Sequence, residues 1–313
     1  MSAQPKVPVR RKRLWRAGAA VAVLIGLAAY LLVQYVTGGP GAPRCTVRAE
    51  GDAKGYELSP EQAANAATIS AVASSRGLPE RARTIALATA MQESGLRNID
   101  FGDRDSVGLF QQRPSQDWGT VKQIMDPVYA AGEFYTHLAR VPGYSRLPLT
   151  VAAQKVQRSG YPQAYAKHEV NAARLTGALT GRDGAAMTCT QSRPVNGQAG
   201  DAAAVRAKLA RDFGPEVLPR TDGAGGRGAS GGRGVTVPVR QTGVGTDGEG
   251  PKRGWELAMW AMAHSAELRI EQISYAGRTW IAADAGKGWQ KKPAGSEASA
   301  GRSAGDVRII TAQ

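Results

Sequence analysis

Between residues 59 and 180 apolar and small residues recur at helical spacing, broken by glycine and proline, so this stretch predicts a series of helices. In "LSPEQAANAATISAVASSRG", Ser59 reads as an N-cap, Pro60 as the first helical residue and Gln62 as the closing member of a capping box, with Gly77 as the stop. "LPERARTIALATAMQESG" predicts the next helix, opened by Pro79 and ended by Gly95. Residues 96–120 mix Gly, Asp, Asn and Pro with short apolar pieces and predict a loop or small hairpin. Helix resumes after Pro127, again over "TVAAQKVQRSG", and a last time over "QAYAKHEVNAARLTGAL". Residues 45–190 are therefore expected to form one helical domain with a single irregular insert.

Beyond residue 190 the pattern changes. Residues 191–234 read as a linker holding one helix, "DAAAVRAKLARDFG", and a Gly-rich low-complexity stretch. Residues 235–313 offer short strand patterns around the helix "GWELAMWAMAHSAELRI", which predicts a small α+β module. On that helix Trp255, Leu257, Ala258, Met259, Trp260 and Met262 are expected in the core. No internal repeat is visible.

At the other end, Arg10 to Arg13 and Arg16 form a basic cluster, and Ala17 to Pro43 carries no charge. About 20 apolar residues suffice to cross a bilayer, whereas a cleavable signal core is shorter. Residues 1–16 are thus expected to be a cytoplasmic basic segment and residues 17–38 a single-pass transmembrane helix in contact with lipid. The domains after it would lie outside the cytoplasm. A cleaved signal peptide is the alternative.

The formal charge of +14 and pI of about 10.1 bias the chain toward polyanions. With the basic surface outside the cell, anionic wall polymers are the expected partners and nucleic acid is not. The two cysteines, Cys45 and Cys189, bracket the helical region. In an oxidising compartment they are expected to form a disulfide, the alternative being two unrelated free thiols. Neither has a histidine or second cysteine at ligand spacing, so no metal site and no cofactor are expected. His137, His168 and His264 are scattered and read as surface or helix-end residues.

The candidate chemistry starts at Glu93. Thr89, Ala86 and Ile85 precede it by four, seven and eight residues and share its helical face, while Glu80, Arg81 and Arg83 lie near the exposed start. A carboxyl set against apolar surroundings at a helix C-terminus should hold its proton, as a general acid must. The plain alternative is an exposed helix-end carboxylate.

The residues on either side of Glu93 carry a resemblance. "ALATAMQESGL" with "SVGLFQQRPS" resembles the lysozyme-like fold of soluble lytic transglycosylases and goose-type lysozymes, over about residues 59–176. That resemblance implies a mainly α lysozyme-like domain and cleavage of peptidoglycan glycan strands, with Glu93 as general acid/base in an E-S motif. It implies a glutamine turn at Gly108-Leu109-Phe110-Gln111, with Phe110 where methionine is usual. "GDRDSVGLFQ" is similar to the goose-type run and makes Asp103 the candidate second carboxylate, with Asp100 and Asp105 as competitors or plain turn formers. Ser94, Ser106, Gln111, Gln157 and Tyr165 would contact substrate, with Arg158 and Tyr161 nearby. Tyr129, Phe134, Tyr135 and Tyr144 would either stack on sugar or belong to the core.

The family's A-Y-N-A-G run is replaced here by "AAQKVQRSGYPQAY", and Arg113 stands where goose-type enzymes carry another aspartate. These departures leave two expectations: a lytic transglycosylase or lysozyme-type enzyme, or an inactive wall-binding or scaffold protein of the same fold. The last segment resembles the second half of a D-Ala-D-Ala carboxypeptidase-like zinc domain. Asp306 and Arg308 stand where histidines would be expected, which implies a degenerate, non-catalytic module.

Overall fold

The computed structural model describes residues 21, 23–28, 42–49, 51, 54–159, 161–191, 199–219, 232–239, 249–291 and 305–313. The chain divides into two units, residues 1–41 and 42–313. In the first, residues 21 and 23–28 are helical. Among the described residues no helix is long and apolar enough to cross a membrane. The expected transmembrane helix over 17–38 is thereby corrected, and with it the single-pass membrane location and the lipid contact. The described helical residues make about two turns, where a span needs about 20 residues. The basic segment 1–16 lies outside the described residues, as do 192–198 and 220–231 of the linker.

The second unit opens with β1 (Arg44–Val47) and β2 (Tyr56–Leu58), which with β3 (Met187–Thr190) form an antiparallel sheet of order β2-β1-β3. This sheet corrects the expectation of an all-helical region with one insert. Cys45 and Cys189 face each other in the β1–β3 register, Cα atoms 3.9 Å apart, and are joined by a disulfide.

Helix α1 (Pro60–Ser75) begins as its sequence predicts. Ser59 accepts from the Gln62 amide, and Gln62 Oε1 accepts from the Ser59 amide. Half of its buried residues are alanine, which allows close helix packing. Helix α2 (Glu80–Ser94) ends at Gly95, whose φ of 64° is the left-handed cap that glycine adopts without strain. Gln62 Nε2 also donates to the Gly95 carbonyl at 2.8 Å, so one side chain caps the start of α1 and fixes the end of α2. A short helix α3 (Val121–Ile124), then α4 (Pro127–Ala139), α5 (Leu149–Gln157), a 3-10 segment (Pro162–His168) and α6 (Glu169–Leu179) complete the cluster. Helix α2 packs against α6 and the 3-10 segment, and α1 against α4.

After β3 come α7 (Ala202–Phe213), β4 (Gly234–Val237), α8 (Glu249–Ala263), β5 (Ile270–Tyr275), β6 (Arg278–Ile281), β7 (Gln290–Lys291) and β8 (Val307–Thr311). The strands form an antiparallel sheet of order β4-β8-β5-β6-β7. Ala276 and Gly277, both at positive φ, make the two-residue turn between β5 and β6. Val235, Ile273, Trp280 and Ile309 bury one face of this sheet. Helix α8 packs on β5 and also on α1 and α6, and its predicted core residues are buried.

The seam between α2 and α8 holds charges, among them Arg83, which is expected near the exposed start of its helix. Arg83 is 9% exposed, and its Nη1 lies 2.7 Å from Glu256 Oε1 and 3.3 Å from Ser70 Oγ. Arg253 pairs with the other oxygen of Glu256 and donates to Ser74 Oγ at 2.9 Å. Nearby, buried Asp212 accepts from Trp260 Nε1 at 2.8 Å and Thr68 Oγ1 at 3.0 Å. His264, expected at the surface or at a helix end, directly follows the last residue of α8 but is buried beside Asp212, with Nδ1 2.9 Å from Glu267; burial pushes its pKa down.

Candidate functional site

The acid of interest sits at the end of α2. Ile85, Ala86 and Thr89 are fully buried, so the face they share with Glu93 is the core face, as the spacing predicts. Glu93 itself is half-buried, and Tyr165 Oη donates to its Oε1 at 2.7 Å. Tyr165 comes from the 3-10 segment and is buried against α2. Burial raises the Glu93 pKa above its ordinary value, while hydrogen bonds from Tyr165 and Gln157 pull it down. Both opposing groups are neutral. Among the described residues Glu93 has no ion pair, and the two arginines that could have pinned it are engaged elsewhere. Arg113 bonds Asp105 at 2.8 Å, and Arg97 Nε donates to the Ser94 carbonyl at 3.4 Å.

The glutamine turn stands next to this helix end and is fastened to it. Val107 and Gln112 pair across the turn by two 3.0 Å backbone hydrogen bonds. Gly108 adopts a φ of 79°, and a Cβ there would lie 2.8 Å from the Ile124 carbonyl oxygen, so the position requires glycine. Ser94 Oγ donates to the Leu109 carbonyl at 2.8 Å, and Gln157 Nε2 donates to the Phe110 carbonyl at 2.8 Å. Phe110 is buried and stacks on Phe134, with ring centroids 4.7 Å apart. Three residues expected at the substrate, Ser94, Gln157 and Tyr165, thus hold the turn or the acid by direct hydrogen bonds. Gln111 is half-buried at a φ of 49°, and its Nε2 donates to the carbonyls of Phe101 and Gly108, each at 3.3 Å.

The loop aspartates divide. Asp105 accepts from Arg113 Nε and from the Ser115 amide, each at 2.8 Å, which holds its carboxyl well below the usual carboxylate range. It is a loop brace. Asp103 has a side chain 91% exposed, with Arg104 Nε 4.0 Å away, and Asp100 is exposed. None of the three bonds to Glu93. Ser106 is buried, its amide donating to the Asp103 carbonyl at 3.0 Å. Arg158 is exposed at the end of α5. Tyr135 and Phe134 are core, Tyr129 packs on Gly119, Tyr144 is half-buried, and His137 stacks on Trp118 at 4.1 Å.

Among the described residues no group of three or more His, Cys, Asp or Glu side chains is arranged to hold a metal ion. Two surface cavities, of about 360 and 650 Å³, are lined by Lys122, Asp126 and Arg211 and by Arg48, Tyr56 and Arg174, with others; Glu93 lines neither. Phe101 was not singled out from sequence, although the signal is visible: a lone aromatic in the polar loop "NIDFGDRD". It is 70% exposed. No protein-family model matches the chain, and no curated protein matches it.

Proposed function

We propose that this protein cleaves the glycan strand of peptidoglycan, with Glu93 as the single general acid/base. The observation that carries this reading is a half-buried carboxyl, raised in pKa, whose partners among the described residues are neutral donors. A glutamic acid in that condition holds a proton to give and can take one back.

The reaction that needs one such group is lytic transglycosylation. Glu93 gives its proton to the glycosidic oxygen between the N-acetylmuramic and N-acetylglucosamine units as the C1–O bond breaks. The resulting carboxylate, kept in place by the Tyr165 hydroxyl, accepts the proton of the muramic 6-hydroxyl as that oxygen bonds to C1. A 1,6-anhydro ring forms and no water is consumed. Direct hydrolysis would call for a second carboxylate to direct a water. The exposed position of Asp103 and the bracing role of Asp105 favour the one-carboxylate route.

The test is digestion of purified peptidoglycan by the full chain, wild type against Glu93→Gln, with the products weighed by mass spectrometry. The expected result is fragments one water lighter than hydrolysis gives, and a loss of about 10²–10⁴ in rate for the variant. Fragments of hydrolytic mass would replace transglycosylation by the lysozyme route. Wall binding with no fragments from the wild type would leave the inactive wall-binding reading instead.

A further inference from the structure

Among the described residues of 42–313, five large apolar side chains are exposed: Phe101, Val121, Val151, Tyr161 and Val170. Isolated exposed valines are ordinary on a protein surface. The two aromatics are different, because both belong to segments hydrogen-bonded into the Glu93 site. The carbonyl of Phe101 accepts from Gln111 in the glutamine turn, which Ser94 and Gln157 fasten beside the acid. On the other segment the Tyr161 amide donates to Ser159 Oγ at 3.1 Å, and the Ser159 hydroxyl also bonds Tyr165, the donor to Glu93.

In each case the backbone is held and the ring is left outside, 70% exposed for Phe101 and 81% for Tyr161. Burial of a large apolar side chain is a main source of folding stability, and the fold forgoes it at two places tied to one carboxyl. A flat, rigid apolar face loses little entropy when it takes up a ligand, and the C–H face of a hexose matches it in size. A general acid also needs its bond held within reach, which calls for contacts on the sugar units around that bond.

We propose that Phe101 and Tyr161 are stacking platforms for N-acetylated hexose rings of the strand that Glu93 cleaves. The inference rests on the glycan-cleaving reading and adds to it the two residues that grip the chain. Phe101 supplies a purely apolar face. Tyr161 supplies a face and a hydroxyl, so it also takes a hydrogen bond from a sugar hydroxyl or amide.

The experiment measures binding separately from cleavage. The full-length Glu93→Gln chain is titrated calorimetrically with a hexamer of β-1,4-linked N-acetylglucosamine, with Phe101→Ala, Tyr161→Ala, Phe101→Trp and Val170→Ala added in turn. Phe101→Ala and Tyr161→Ala are each expected to weaken binding roughly five- to tenfold. Phe101→Trp should keep the affinity, and Val170→Ala should leave it unchanged. Affinities within twofold for both alanine variants, or no measurable affinity in the parent chain, would overturn the proposal. An effect at only one aromatic removes the other from it. A parent that binds through both rings while the wild type cuts nothing keeps the platforms and discards cleavage.

Discussion

Two glutamates on different helices of one core have opposite surroundings. Glu256, on α8, is buried and takes Arg83 on one oxygen and Arg253 on the other. Glu93, on α2, is half-buried and takes a tyrosine hydroxyl and an amide. Two guanidinium groups fasten the Glu256 carboxylate where α2 meets α8, whereas burial of Glu93 among neutral donors favours its acid form. The difference separates a structural carboxylate from one that can exchange a proton.

The sharpest way to break this contrast is to remove the structural member. Glu256→Ala leaves the Arg83 guanidinium buried with Ser70 as its remaining partner, and is expected to cost about 3–5 kcal/mol in denaturant unfolding. Replacing Arg83 and Glu256 together by Met and Leu should recover most of it. A single-variant loss below about 1 kcal/mol would mean that solvent reaches the seam.

Next in size is Tyr165→Phe, which takes the hydroxyl from Glu93 Oε1 and is expected to cost about 1–2 kcal/mol. Because that hydrogen bond lowers the Glu93 pKa, its loss should raise it further. The limb of the pH–rate profile on which Glu93 gives up its proton should then move to higher pH; an unmoved limb would assign it to another group.

A smaller effect is expected in the pH dependence of stability. The folded pKa of Glu93 lies above its ordinary value of 4.5, so its contribution to stability is complete below that value and lost as pH rises through the folded pKa. Glu93→Gln should therefore match the wild type in acid and gain on it progressively toward neutral pH. Parallel stability curves would show that the carboxyl is solvated in the folded protein.

The smallest effect belongs to the brace between Asp105 and Arg113. If Arg113 acts only on the loop, Arg113→Ala should change glycan cleavage by no more than about twofold while raising the Asp105 pKa, as carboxylate NMR titration would report. A large loss of activity would place its charge in the reaction after all.

Much of the helical region is legible in local sequence. The Ser59–Gln62 box, the Gly95 stop and the core face behind Glu93 each depend on residues within one or two turns. The disulfide follows from cysteine count and position. The three-stranded sheet is not legible, because strands of three or four residues are too short for an alternating pattern to register, and their partner lies beyond the whole helical region. Arg83 reads as lying near the exposed start of its helix, and only its meeting with Glu256 across 173 residues removes it from water. The resemblance puts Ser94 and Gln157 beside the acid as substrate contacts. Their hydrogen bonds to turn carbonyls depend on tertiary packing that no spacing encodes. The uncharged run after residue 16 meets a composition threshold for crossing a bilayer; hydropathy alone does not require a continuous helix of that length.

The bond between Cys45 and Cys189 has a mechanical consequence. It joins two facing residues of adjacent strands, at the points where the chain enters and leaves the helical region. Tension applied to the chain from outside those points would run through the sulfur atoms and bypass everything between them, a sequence separation of 144. Helix α2 and its glutamate would then keep their geometry under a load that would otherwise peel the helices apart one by one.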